Sequence, residues 1–137
     1  MQNRDKLYIG GKWVSPHGTG SISVINASTE EVMGRIPEGN ELDAQAAVAS
    51  VRSAFDAWTA QPVAVRSEYL RKIQAGLQER AAELAQIITG EVGMPLKLSA
   101  QIQVGSPIVN FGYYANLAEK FQWEELTGNS RVVREAV

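Results

Sequence analysis

The sequence predicts an α/β chain: an N-terminal β-hairpin and strands, then three amphipathic helical regions, then a terminal strand. Three observations carry this. Residues 7–36 hold short β-prone runs separated by glycine, proline and small polar residues. Residues 40–121 carry apolar side chains that recur at three and four positions. Residues 130–137, Ser-Arg-Val-Val-Arg-Glu-Ala-Val, return to strand-like composition.

The hairpin is read from Leu7, Tyr8 and Ile9 facing Lys12, Trp13 and Val14 across Gly10 and Gly11, because two glycines can both take positive φ without a Cβ penalty. Residues 15–20 form a loop. Residues 21–25 are a second strand candidate, residues 26–30 a small polar turn, and residues 32–36 a third strand that Pro37 and Gly39 stop. Asn40 is a good N-cap for the first helix, with Asp43 three residues on, where a carboxylate suits the positive helix end. Leu42, Ala47, Val48, Val51, Ala54, Phe55 and Trp58 make its apolar stripe, and Pro62 ends it. The second helical region covers about 63–92. Gly76 lies midway and weakens it, so a division there into two helices is open; Gly93 and Pro95 stop it. The third runs from Leu96 to about Phe121. Pro107 predicts a kink, or a restart with Ser106 as N-cap. Residues 124–129 read as a polar stretch. The chain stops on an apolar residue inside a strand pattern, so the sequence is expected to continue in the parent protein.

The 137 residues are enough for one domain, and 45% hydrophobic with 20% charged side chains is the balance of a folded globular chain. A net charge of −2 gives no electrostatic claim on nucleic acid. Neither an export signal nor an apolar run of membrane-span length is visible, which predicts a cytoplasmic protein.

The catalytic inventory is sparse. There is no cysteine, hence no disulfide framework, no thiolate nucleophile and no thiolate zinc site. His17, the single imidazole, sits in a Ser-Pro-His-Gly loop and reads as a polar loop residue. No G-x-G-x-x-G or Walker loop follows a strand. The acidic pairs Glu30 with Glu31, Glu79 with Glu83 and Glu124 with Glu125 read as solvated surface, Met33 and Met94 as gap-filling residues, and Phe111, Gly112, Tyr113 and Tyr114 as core ahead of the alternative of a pocket lining.

The pieces, taken in order, resemble the aldehyde dehydrogenase superfamily. Tyr8-Ile-Gly-Gly-Lys-Trp-Val14 is similar to the family's opening hairpin. Val24-Ile-Asn-Ala-Ser-Thr-Glu-Glu-Val32 resembles its V-N-P-x-T-G-E-V turn, with Ala27 in place of proline. Residues 42–58 resemble its first helix. Arg66, Leu70, Ile73, Glu83, Leu84 and Glu91, with Gly93 and Pro95, follow the next helices; Tyr113-Tyr-Ala115 resembles its Y-Y-A helix. Val132-Val-Arg-Glu-Ala-Val137 resembles the strand leading into R-E-P-V-G-V, with Ala136 for proline.

The resemblance implies the N-terminal part of an NAD(P)-dependent enzyme that oxidises an aldehyde to a carboxylic acid through a cysteine thiolate, a glutamate base and an oxyanion-binding asparagine. In the family these groups, and the residues that bind NAD or NADP, lie beyond the span matched by this chain. It implies that residues 1–129 (strands 7–36, helices 40–121) belong to the cofactor domain and residues 130–137 to the first strand of an oligomerisation arm, with the catalytic domain absent. Two carry-overs reach this chain: a monovalent cation held by Val24, Ile25 and Glu91, and a border of the substrate tunnel at Ser106, Val109 and Asn110. The resemblance further implies a homo-oligomer with a small-molecule aldehyde as its partner, and no membrane or nucleic acid. The alternative is a truncated, non-catalytic helical interaction module.

Overall fold

The structure, a computed structural model, describes residues 2–134, with side chains from Arg4 onward. Strand β1 (Gln2–Asn3) runs parallel to β5 (Val32–Pro37), which also pairs antiparallel with β4 (Ser21–Ile25), giving a three-stranded sheet in the order β1-β5-β4. Between β1 and β4, β2 (Leu7–Ile9) and β3 (Lys12–Val14) form the expected hairpin, with Leu7 opposite Val14 and Ile9 opposite Lys12. Gly10 and Gly11 both have positive φ, 61° and 76°, as a tight two-residue turn requires.

Helix α1 (Glu41–Thr59) opens with a capping box. The Asn40 side chain accepts from the N–H groups of Leu42 and Asp43, and the Asp43 carboxylate accepts from the Asn40 N–H. Helices α2 (Val63–Glu79) and α3 (Ala81–Val92) divide at Arg80 and not at Gly76. Arg80 leaves helical geometry at φ −101°, ψ 14°, and its guanidinium grips Glu83 through two hydrogen bonds of 2.8 and 2.9 Å. Gly76 stays helical with open space where a Cβ would stand, so its weak propensity is overridden by the hydrogen bonds around it. Gly93 closes α3 in the left-handed conformation, as expected.

The third helical region is a short turn α4 (Leu96–Leu98), a π-helical segment over Ser99–Val104, and α5 (Gly105–Lys120). The disturbance at Pro107 is therefore taken up by widening the preceding turn. Ser106 is not a cap; α5 follows Val104 with no side-chain cap. The Thr89 hydroxyl donates to the fully buried Ser99 hydroxyl over 2.9 Å, pinning the π segment to α3.

Residues 124–129, read above as a polar stretch, form half of a second hairpin: β6 (Glu124–Thr127) pairs antiparallel with β7 (Ser130–Val133). Gly128, at φ 61°, supplies the turn. Its acidic pair is engaged on the surface, Glu124 with Arg131 and Glu125 with Arg134. Strand β7 bears out the first half of the terminal-strand expectation; residues 135–137 lie outside the described residues.

The packed centre lies where α2 meets α5 and where α3 meets the π segment, around Ala85, Val104 and Ala115. Helix α1 is different. Its stripe of Val48, Val51, Phe55 and Trp58 faces solvent, with Val51 68% exposed. Tyr113 and Tyr114 also face outward, stacked edge-on at 5.4 Å, so only Phe111 and Gly112 of that run turn inward.

Candidate functional site

The turn of residues 26–30 is docked onto the end of α3. Asn26 accepts from the N–H groups of Ser28 and Thr29 through its side chain, and the Ala27 N–H donates to the Gly90 carbonyl over 2.8 Å. Gly90 allows this approach, since a Cβ there would stand 3.1 Å from the Met33 terminal methyl. The docking brings Val24 and Glu91 to the walls of one hollow of about 340 Å³, shared with Arg4, Met33 and Ile87. Ile25 is not among its lining residues and is half exposed. Glu91 lies in the last turn of α3, where the negative helix end opposes a carboxylate. A positive neighbour is therefore favoured there, and Arg4 borders the same hollow. No group of three or more His, Cys, Asp or Glu side chains is arranged to hold a metal among the described residues.

Ser106, Val109 and Asn110 share one face of α5, three and four residues apart, and all three are exposed. Ile102 and Tyr113 extend that face at both ends and are exposed as well. The result is a band of apolar and small polar side chains with its edge open to solvent. It can border an apolar ligand, and it carries no imidazole, carboxylate or amine beside the Ser106 and Tyr113 hydroxyls to activate them.

Sequence reasoning passed over one constellation. His17 is not merely a polar loop residue. Its N–H donates to Asp43 Oδ1 over 3.1 Å, and its ring Nδ1 lies 2.8 Å from the same oxygen. Asp43 is 4% exposed while the His17 side chain remains half exposed. The Asn40 N–H, followed by His17, holds the Asp43 carboxyl below its ordinary value. The signal available in the sequence was Asp43 itself, an acid with a capping role next to a Gly-rich loop, but nothing in the spacing pointed to a partner 26 residues upstream.

The sequence pattern of the aldehyde dehydrogenase family matches residues 13–137. The chain belongs to the aldehyde dehydrogenase family. It is 35% identical over 136 residues to the 3-succinoylsemialdehyde-pyridine dehydrogenase of a Pseudomonas species, covering 98% of this chain and 28% of that protein. It is 33% identical to the geranial dehydrogenase of Castellaniella defragrans, covering 93% of this chain and 28% of that enzyme. Among solved structures it matches a mutant of aldehyde dehydrogenase C from Pseudomonas syringae, in complex with NAD+ and octanal, at a TM-score of 0.89 and 31% identity, covering 96% of this chain and 27% of that one. The chain thus spans less than a third of the aldehyde dehydrogenases it matches, and the α/β fold expected from its sequence is the fold of their corresponding portion.

Proposed function

We propose that this chain is the N-terminal scaffold of an NAD(P)-dependent aldehyde dehydrogenase, a cytoplasmic homo-oligomer oxidising a small aldehyde to its carboxylic acid. The supporting observation is the family match across residues 13–137, together with a three-dimensional match over 96% of the chain at a TM-score of 0.89. In this reading residues 1–129 contribute to the cofactor domain and residues 130–137 begin an oligomerisation arm. The chain itself places no residue on the cofactor. Its contribution is shape: the exposed face of Ser106, Val109 and Asn110 borders the channel through which the aldehyde enters.

The hollow between Val24 and Glu91 is the proposed seat of a monovalent cation, held by the Val24 backbone oxygen and the Glu91 carboxylate; Ile25, which does not line the hollow, is left out of the set. Oxygen donors of low total charge suit an alkali ion. Arg4 borders the same hollow, and its positive charge would weaken the hold on the ion.

The experiment is a chimera. The chain replaces the matching segment of the Pseudomonas syringae enzyme with its native cysteine, and octanal oxidation is followed through reduced cofactor. The chimera is expected to turn over, and the 137-residue chain alone is expected to produce no reduced cofactor and no acyl adduct, since it has no cysteine. Turnover by the isolated chain would refute the reading, as would a folded chimera that binds NAD+ but cannot oxidise octanal.

A further inference from the structure

The contacts around Asp43 go beyond a helix cap. One carboxylate, almost wholly buried, accepts from three donors on two separate pieces of chain: the Asn40 N–H at the start of α1, the His17 N–H, and the His17 ring. We infer that Asp43 is a strap that couples the start of α1 to the loop of residues 15–20 and locks the chain's only imidazole in its Nδ1–H form.

The chemistry is forced by the acceptor. An ionised carboxylate has only lone pairs to offer, so a ring nitrogen 2.8 Å from it must carry a proton. The neutral ring therefore keeps its hydrogen on Nδ1 and turns the Nε2 lone pair away from Asp43. A doubly protonated ring keeps the same bond, because Nδ1 carries a hydrogen in both forms. Only protonation of Asp43 opens it, and that one event withdraws an acceptor from the loop and from the helix cap together.

The surroundings leave this carboxylate to those donors. Apart from the Asn40 N–H, His17 is the group that lowers the Asp43 carboxyl. Glu38, on the link into α1, lies with its side chain over Gly20; Glu41, in the first turn, accepts from the Gln45 amide. Strand β2, packed against α1, offers Leu7, Tyr8 and Ile9, of which Tyr8 is exposed. Leu7 and the Asp43 Cβ both close on Gly39.

The single histidine makes the test direct. Long-range proton–nitrogen correlation on the full chain at mildly alkaline pH, with the ring neutral, is expected to show the ring hydrogen on Nδ1. In Asp43→Asn the ring is expected to revert mainly to the Nε2–H form, and the amides of His17 and Asn40 to exchange with solvent together, each at least tenfold faster. His17→Gln removes the ring contact and leaves the capping residues Asn40 and Asp43 in place, so it provides a folded variant in which coupling through Asp43 should still lower the protection of the Asn40 amide. An Nε2–H ring in the unmodified chain sinks the inference. So does an Asn40 amide that keeps its protection in His17→Gln while the loop is released.

Discussion

At the scale of single residues, two buried polar groups behave in opposite ways. Asp43 is satisfied, and its carboxyl is held below the ordinary value of 3.8 by the Asn40 N–H and then by His17. A carboxyl with a depressed folded value contributes stability that is complete above the unfolded value and is lost as pH falls through the folded one. Stability measured by chemical denaturation is therefore expected to decline on acidification below about pH 4, and Asp43→Asn to show a shallower decline over the same window. Ser67 is the converse. It is fully buried in α2, and its hydroxyl has no hydrogen-bond partner among the described residues. Ser67→Ala is expected to raise stability by about 1 kcal/mol, because an unsatisfied hydroxyl is removed with little loss of volume. An equal loss in the denaturation midpoint would show that the hydroxyl is bonded after all.

At the scale of elements, the glycines separate by what surrounds them. Gly76 is helical and faces open space, so Gly76→Ala should stabilise α2 by about 1 kcal/mol, read as a higher melting temperature. Gly93 is left-handed at φ 73°, with Ala27 3.3 Å from any added Cβ. Gly93→Ala should cost about 1–2 kcal/mol from the backbone alone, and loosen the turn of residues 26–30 from α3, visible as faster exchange of the Ala27 amide. Local chemistry made the first hairpin, the capping box and the Gly93 stop legible, since Gly10-Gly11, Asn40 with Asp43, and Gly93 with Pro95 each act within a few residues. What depended on a particular side-chain grip or on pairing with another segment was not legible. The Arg80 break needs a side chain reaching Glu83, β6 needs β7 opposite it, and the docking of Ala27 on Gly90 joins positions 63 apart in sequence. Of the candidate site, Val24 and Glu91 line one hollow and Ile25 does not, whereas the His17 contact left no periodic trace.

At the scale of the whole molecule, the apolar pattern and the packing part company. The three-, four-residue spacing in α1 is real, yet Val48, Val51, Phe55 and Trp58 meet water, as do Leu126 and Val133 on the second hairpin. Such a surface binds apolar dyes and other copies of itself. The isolated chain is expected to enhance the fluorescence of a hydrophobic probe at neutral pH and to sediment faster as concentration rises. A silent probe and a concentration-independent monomer would show that α1 folds back onto the rest in solution. The wet flank of α1 has a bearing on synthesis too. Translation proceeds at roughly 5–20 residues per second, so a ribosome that has just made this helix holds a sticky strip bare for seconds before later residues arrive. A nascent chain held at that stage is expected to aggregate more readily than one whose apolar residues are already covered.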